Sequence, residues 1–168
     1  MSNIPKNHPR YLSLITREKI AKAMKDGLVH STGLIAHGRG EAFDYLIGEK
    51  TNRFASEAIE AAACLLLLAK DPVISVNGNF AALCAKDIIR LSNVLDAKIE
   101  VNIFHSSKRR EKDILKFLKK NGAKKVLLPG KGIVKHIDHN RKYCNEKGIL
   151  NADVVFVPLE DGDRCIAL

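Results

Sequence analysis

Helical periodicity dominates the chain up to residue 70. Apolar side chains there recur at spacings of three and four, and Gly27 and Gly48 follow two of the periodic segments as helix stops. The expected helices cover residues 13–26, 41–47 and 56–70. Between the first two lies the glycine-punctuated stretch 33–40, which we expect to form a loop.

From residue 71 onward, short β-rich runs alternate with amphipathic segments. The expected strands cover residues 73–76, 98–104, 125–128 and 153–157. The expected helices between them are a segment carrying Ile88, Leu91 and Leu95, and residues 109–120. Residues 131–150 are polar and irregular, and the pattern assigns them no element. Alternation of strands and helices at this spacing is typical of β-α-β units, so we expect an α/β fold with a mostly parallel sheet.

The helix expected over residues 56–70 is apolar almost all round. A helix of this kind is usually buried on most faces, either against a sheet or against a second subunit. Its longest apolar run, residues 61–69, is far shorter than the roughly 20 residues of a membrane-spanning helix. We therefore expect a soluble protein without a membrane segment.

The last four residues of the sequence resemble the first turn of another helix. One turn fixes several residues for little hydrogen bonding, so it is unstable alone. We accordingly expect the sequence to be a fragment that stops inside its domain. Residues 1–70 would be a helical segment packed on that domain, and residues 71–168 an α/β region that ends early.

Composition narrows the possible partners. With 28 Lys and Arg against 19 Asp and Glu, the net charge is +9, which favours nucleic acid or a phosphorylated small molecule. The four cysteines show no C-x-x-C spacing, and the N-terminus shows no apolar leader, so we expect reduced thiols in the cytoplasm. His136 and His139 have no third ligand in view, and we predict no metal site there.

Polar loops follow the predicted strands. Ligands of open parallel sheets bind beyond the carboxyl ends of the strands. The loops at this edge are residues 77–79, 102–105, 129–132 and 160–164. The binding candidates from the first are Asn77, Gly78 and Asn79, and the catalytic candidates from the last are Asp161, Asp163 and Arg164. The alternative is that Asn-Gly-Asn and Asp-Gly-Asp only form turns.

Arg39 stands between Gly38 and Gly40, and these three residues are binding candidates. His37, just before them, is a further catalytic candidate. Glycines allow close approach of the backbone to a ligand and favour anion-binding nests of N–H groups. A helix is expected to begin directly afterwards, and its N-terminus would favour a phosphate. The alternatives are a flexible turn with a solvated arginine, and a structural role for His37.

Arg17 falls on the same predicted helical face as the apolar residues Ile20 and Met24. A charge directed inward needs an acidic partner or a bound phosphate. The alternative is that its long side chain extends back to the surface.

Common nucleotide motifs are missing. The sequence has no G-x-G-x-x-G, and the loop Gly130-Lys131-Gly132 lacks the spacing of a P-loop. The basic helix expected over residues 109–120 carries no exposed aromatic residues, so we interpret it as a solvated face and not as a nucleic-acid surface.

Four segments closely resemble the archaeal phosphopantothenate synthetase family, also called 4-phosphopantoate–β-alanine ligase. They are residues 4–11, 33–46, 72–79 and 157–164, and the run His-Gly-Arg-Gly-Glu-Ala-Phe-Asp-Tyr from His37 is the most specific. The resemblance implies a Rossmann-like, three-layer domain, a homodimer, and contacts from Arg17 and Arg39 to ATP. Family members continue beyond the position of Leu168 with segments that complete the ATP site.

The reaction implied by the resemblance is the ATP-dependent condensation of 4-phosphopantoate with β-alanine in coenzyme A synthesis. The carboxylate would attack the α-phosphate of ATP and release pyrophosphate, and the amine of β-alanine would then displace AMP. Mg²⁺ is expected with ATP, held mostly by phosphate oxygens. From the chemistry alone, Asp161 or Asp163 is a candidate for the metal or the amine.

Two other functions stay open on the sequence. A basic nucleic-acid-binding module would explain the net charge but not the inward Arg17, the glycine-flanked Arg39 or the acidic loop. The other is a nucleotide-binding α/β domain of another enzyme class, such as a sugar-phosphate isomerase-like protein. Product analysis separates it from the ligase, because only the ligase releases AMP in a reaction that requires β-alanine.

Overall fold

The computed structural model describes residues 4–160 and 162–168, without the side chain of Asp163. Its helices are α1 (Tyr11–Lys25), α2 (Ser31–Gly38), α3 (Glu41–Leu46), α4 (Arg53–Leu68), α5 (Gly78–Leu95), α6 (Lys108–Lys120) and α7 (Gly162–Ala167). Its strands are β1 (Pro72–Val76), β2 (Lys98–Val101), β3 (Val126–Leu127), β4 (Gly132–Ile133), β5 (Tyr143–Cys144) and β6 (Val154–Phe156). Short 3₁₀ turns cover Asn140–Lys142 and Ile149–Asn151.

The main sheet has four parallel strands in the order β3-β2-β1-β6. Ile74 is in register with Ile99 of β2 on one side and with Phe156 of β6 on the other. The chain moves outward from β1 to β3 and then returns to the opposite side of β1, so the strand order reverses between β1 and β6. The α/β fold with a parallel sheet is confirmed, and all four expected strands are present.

One face of the sheet carries the larger apolar core. Alternate residues such as Ile74, Val76 and Ile99 point to this face, where they pack under helices α1, α5 and α6. Ile20 of α1 and Ile114 of α6 are fully buried in the same cluster. The N-terminal helix therefore shares one core with the sheet.

The opposite face is covered by the segment that the pattern left unassigned. Strands β4 and β5 pair antiparallel into a small second sheet, and the 3₁₀ turns follow. Apolar contacts are few here: Val73, Cys144 and Ile149 belong to the smaller of two core clusters. Polar side chains fill the rest of this face, which is why no hydrophobic period marks residues 131–150.

Glu100 shows how this segment is attached. Its side chain lies on the second face of β2 and is 0% exposed. The backbone N–H groups of Asn145 and Ile149 donate to its two carboxylate oxygens at 2.9 and 2.8 Å. Burial raises the pKa of the Glu100 carboxyl, and these two hydrogen bonds oppose the rise.

Residues 33–38 are helical where a loop was expected, and a turn at residues 39–40 follows. Residues 31–38 form α2, and His30 caps its N-terminus by accepting a hydrogen bond from the N–H of Thr32 at 3.3 Å. Gly33 lies against α5, because a side-chain carbon there would be 2.5 Å from the Asn79 amide oxygen. The glycine serves helix packing, so reading it as loop punctuation was wrong.

Helix α4 is longer than expected and more exposed. It begins at Arg53, and Leu66 is its one buried residue. Phe54, Leu65 and Leu68 remain 67%, 59% and 82% exposed. Within this chain α4 therefore buries only one narrow face. The sheet does not bury the helix on most faces, although the sequence predicted such burial against a sheet or a second subunit.

The C-terminal residues begin a helix, as expected, although α7 starts earlier, at Gly162. Ala167 and Leu168 pack against the smaller core cluster. Within the described ranges, no helix is both long and apolar enough to span a membrane.

Removing the Glu100 carboxylate should destabilise the fold. Glu100→Leu leaves the two N–H donors buried without acceptors, and we expect a loss of about 2–4 kcal/mol in the free energy of unfolding. Glu100→Gln keeps one acceptor and should fall between Glu100→Leu and the unsubstituted chain. Urea unfolding measures the free energy of unfolding of the three chains. A Glu100→Leu chain as stable as the unsubstituted one would contradict the prediction.

Candidate functional site

A cleft of about 300 Å³ lies where the strand order reverses. It opens beyond the carboxyl ends of β1 and β2 and the loop after β6, the position where open α/β sheets bind ligands. Its walls come from the loop before α2, from α2 itself, from the start of α5 and from the loop between β2 and α6. Of the predicted site residues, Arg39, Asn77, Gly78 and Asn79 line it.

Asn77 joins β1 to the loop after β6. Its amide oxygen caps α5 by accepting from the N–H of Phe80 at 2.9 Å. Its amide nitrogen donates to the Leu159 carbonyl and to Glu160 Oε1, both at 2.9 Å. The side chain is therefore occupied within the fold, and it shapes the cleft floor.

Gly78 and Asn79 permit a close approach of the α1–α2 connection. A side-chain carbon on Gly78 would meet the Leu28 carbonyl oxygen at 2.8 Å. The amide nitrogen of Asn79 donates to the Gly33 carbonyl at 2.9 Å, while its amide oxygen is buried without a described partner. The N-terminus of the 18-residue helix α5 thus faces the cleft, where its dipole favours an anion.

Arginine supplies most of the charge in the cleft walls. Arg39, Arg110 and Arg141 line it, against the single carboxylate of Glu160 among the described lining residues. Arg110 donates to the Leu28 carbonyl at 3.3 Å and to the His105 carbonyl at 2.5 Å, so it is held by neutral acceptors. Burial lowers the pKa of Arg110 from its ordinary value. The cleft is suited to anions.

Two histidines stack on one wall. The rings of His30 and His105 lie 3.9 Å apart at 27°. Desolvation, with smaller contributions from His105 and Arg110, lowers the pKa of His30. The neutral ring can therefore keep accepting the hydrogen bond that caps α2.

Glu160 is the main ionic link beneath the cleft. Its side chain is 0% exposed and makes an ion pair with Arg141, whose Nε donates to the Asn102 amide oxygen at 3.0 Å. The other oxygen of Glu160 lies 3.6 Å from Nε of Arg164. Arg164 also donates to Ser75 Oγ at 2.8 Å. Arg164, a predicted catalytic residue, is thus buried within the fold and does not line the cleft.

The expected environment of Arg17 and of the glycines around Arg39 is not observed. Arg17 is exposed on α1, so its inward orientation was wrong, and its long side chain reaches the surface instead. Gly38 ends α2 and Gly40 has a φ of −83°, while Arg39 itself is right-handed helical. An anion-binding nest needs neighbouring residues in right-handed and left-handed backbone conformations, so the N–H groups around Arg39 do not form one.

His37 lies on α2 beside Arg17 and is half-buried. Desolvation and then the neighbouring charge of Arg17 lower its pKa. Its Nδ1 is buried and has no hydrogen-bond partner among the described residues. His37 does not line the cleft. It lies in the last turn of α2, two residues before Arg39, so it can affect the site only through the position of Arg39.

Arg10 holds that segment in place. It is 7% exposed, and its guanidinium pairs with Glu41 and, at 3.2 Å, with Asp44 of α3. At the other end of α3, Glu49 accepts hydrogen bonds from the N–H groups of Leu12 and Ser13 at 3.0 and 2.6 Å. Both contacts bind α3 to the start of α1 and so fix the helix that follows Arg39.

The two predicted aspartates cannot be placed. Asp161 lies outside the described residues, and so does the side chain of Asp163. In the rest of the chain, no group of three or more His, Cys, Asp or Glu side chains is close enough to hold a metal ion.

Residue patterns missed several parts of the cleft. Arg110 and Arg141 look like ordinary surface charges in the sequence, and His30 and His105 lie 75 positions apart, so no local spacing relates them. One signal was available: Asn102 directly follows β2, Glu160 lies in the loop after β6, and both belong to the loops that the parallel-sheet rule selects.

A family model and individual relatives were compared with the chain, and both give the same family. Residues 54–168 match the model of a family described as phosphopantothenate/pantothenate synthetase. The chain is 50% identical over 165 residues to a protein of Methanosarcina mazei named 4-phosphopantoate–beta-alanine ligase, covering 98% of this chain and 65% of the relative. A protein of the same name from Thermococcus kodakarensis is 52% identical, with 100% and 65% covered. The chain therefore spans just under two thirds of the length of these relatives.

Loss of the Arg10 pairs should loosen α3 selectively. We expect Arg10→Met to speed amide hydrogen exchange over residues 41–46, because the buried guanidinium no longer holds Glu41 and Asp44. Exchange in α5 should stay unchanged. As a control, Arg109→Met removes an arginine that is 92% exposed on α6 and should alter neither region. Unchanged exchange over residues 41–46 in Arg10→Met would show that the clamp does not position α3.

Proposed function

The chain belongs to the phosphopantothenate/pantothenate synthetase family, and we propose that it carries out the ATP-dependent joining of 4-phosphopantoate to β-alanine. The observation that carries this proposal is the basic cleft at the strand-order reversal, because both ATP and 4-phosphopantoate are phosphorylated. The products would be 4'-phosphopantothenate, AMP and pyrophosphate. A place in the cytoplasm and in coenzyme A synthesis belongs to the same proposal.

Charge supports phosphate binding in the cleft. Arg39 lines the cleft, is exposed, and has no side-chain partner among the described residues, so its planar fork can bind a phosphate. Arg110 adds a second cation, and the N-terminus of α5 adds its dipole. Its volume is at the lower end for ligand pockets, so it would hold part of the substrate set at one time. Arg17 lies outside the cleft, and its proposed contact with ATP rests on the family resemblance alone.

The proposed chemistry proceeds in two displacements. The carboxylate of 4-phosphopantoate attacks the α-phosphorus of ATP, and pyrophosphate leaves. The amine of β-alanine then attacks the acyl carbon of the resulting acyl-adenylate; AMP leaves with the bonding electrons and the amine loses a proton. The described residues would contribute positioning and neutralisation of negative charge in both steps.

Mg²⁺ would accompany ATP as part of the proposal. Because the described residues offer no cluster of three metal ligands, phosphate oxygens would supply most of its coordination. Asp161 or Asp163 is proposed as a protein carboxylate that helps to hold the metal ion.

The function can be tested in a chimera. Residues 1–168 would replace the matching segment of the Thermococcus kodakarensis ligase, which supplies the remaining third of the protein. We expect AMP release that requires both 4-phosphopantoate and β-alanine. Release of ADP, or AMP release without β-alanine, would contradict the proposal.

Arg39 should matter for nucleotide binding in the same protein. Loss of one charge-assisted contact to phosphate should weaken ATP binding by about tenfold in Arg39→Met, as measured by calorimetry. Arg109→Met is the control, because Arg109 is also exposed and does not line the cleft. Equal ATP affinity in the two variants would remove Arg39 from the site.

A homodimer is the second part of the proposal. Phe54, Leu65 and Leu68 fall on one face of α4 at helical spacing, and each is more than half exposed. An apolar stripe of this kind on a folded chain is typical of a protein interface. We propose that two copies bury α4 against each other.

Breaking this stripe should separate the copies. Leu68→Glu places a charge in the proposed interface, and we expect the mass from light scattering to fall to that of one chain. Val94→Glu on α5 is the control, because Val94 is 71% exposed and lies outside α4. If the chain is already monomeric, or if Leu68→Glu stays dimeric, α4 is not the interface.

A further inference from the structure

A second cavity of about 340 Å³ lies beside the cleft. It is formed by the start of α6 and by the loops after β3 and before β5. Its lining includes Ser106, Lys108, Glu111, Gly130, Asn140 and Tyr143. None of these residues has a role in the function proposed above.

Glu111 is the unusual member of this lining. The residue is only 2% exposed, yet it lies in the first turn of a helix where an acidic side chain usually reaches solvent. Its Oε1 accepts a hydrogen bond from the Ser106 hydroxyl, which fixes the carboxylate. Its Oε2 is buried and accepts no hydrogen bond from any described residue. Lys108 gives this oxygen an ion pair at 3.6 Å but no hydrogen bond, so the cost of burying the oxygen is only partly offset within the described chain.

A cation and a helix N-terminus stand next to this carboxylate. Nζ of Lys108 lies 3.6 Å from Oε2, and its side chain is 83% exposed, so it can turn toward a ligand. Ser107 caps α6 by accepting from the N–H of Arg110, and both Ser107 and Lys108 at the start of this helix line the same cavity. Glu111 and Lys108 thus place a negative and a positive group side by side. This pair complements a small zwitterion, whose ammonium would contact Glu111 and whose carboxylate would contact Lys108.

The same chain segments form both cavities. Phe104 and His105 line the cleft, and Ser106 and Ser107 line the second cavity. In the same way Arg141 faces the cleft, while Asn140 and Tyr143 face the second cavity. A ligand in the second cavity is therefore a neighbour of a ligand in the cleft.

We infer that the second cavity binds the amino-acid substrate, a small ω-amino acid, through Glu111 at its ammonium and Lys108 at its carboxylate. The inference rests on the proposed function for the identity of the amino acid as β-alanine. The amine would be held next to the cleft, where the acyl group to be attacked is formed. Glu111 acts as the binding carboxylate, and Ser106 positions it.

Ligand-observed NMR on the 168-residue chain tests the binding. We expect saturation transfer to β-alanine but not to propionate, which has the carboxylate and lacks the ammonium. Glu111→Gln should weaken β-alanine binding at least about tenfold, the value of a charge-assisted hydrogen bond. Asp113→Asn, on the same helix and paired with Arg109 at 3.9 Å, is the matched control and should bind like the unsubstituted chain.

Lys108→Met provides a second variant, because an exposed lysine can be replaced without disturbing the core. It should lower β-alanine affinity severalfold while the thermal midpoint stays unchanged. Equal saturation of propionate, or undiminished β-alanine binding in both variants, overturns the inference. So does an absence of β-alanine binding both with and without ATP and 4-phosphopantoate.

Kinetics of the chimera separate this inference from the proposed function. If both hold, Glu111→Gln raises KM for β-alanine about tenfold or more and leaves KM for ATP unchanged. If β-alanine-dependent AMP release persists with an unaltered KM, the function stands and the amino-acid site is wrong. If Glu111-dependent β-alanine binding occurs in a chimera that never releases AMP, the site stands and the function is wrong.

Discussion

The arrangement of this molecule depends on one buried carboxylate. Glu160 contacts Asn77 at the end of β1, Arg141 in a 3₁₀ turn and Arg164 in α7, and its own side chain is fully buried. A buried charge is tolerated only when partners surround it, so these three segments must meet at Glu160 for the fold to be stable. The floor of the cleft is the upper surface of this cluster. Ion pairs beneath the floor therefore help to set its shape, together with apolar lining residues such as Ile103 and Phe104.

The need of a buried charge for partners also separates five of the arginines into two groups. Arg10, Arg141 and Arg164 are each at most 7% exposed and pair with carboxylates or carbonyls inside the chain, so they serve the fold. Arg39 is exposed at the mouth of the cleft, and Arg110 is held by carbonyls that leave its charge unneutralised. Of these five arginines, only Arg39 and Arg110 keep a charge that no described carboxylate neutralises. The net charge of +9 is thus a weaker guide to ligand binding than the identity of the unpaired cations.

Sequence reasoning succeeded where apolar periodicity decides the structure. The strands of the parallel sheet and the helices on its apolar face follow from alternation and from spacings of three and four. It failed on residues 131–150, because polar contacts such as Glu100 with two backbone N–H groups hold that segment. It also misjudged Gly33. A glycine is needed there because Asn79 leaves no room for a side chain, and not because the chain turns. Helical spacing alone placed Arg17 inward, although a long side chain on that face can reach solvent.

Taken by itself, the sequence determined an α/β fold and a family likeness carried by the segments around His37 and at the strand ends. It also predicted a polar ligand beyond the strand ends, which stays a prediction. Tertiary structure decided which of the marked residues meet. It brought Arg39 together with Asn77, Gly78 and Asn79, and it removed Arg164 into the fold. It also placed a buried Glu111 in a second cavity, a position that no local pattern indicates. The reason is physical: periodicity reports which face of an element is apolar, whereas partners for a buried charge come from segments far apart in the chain.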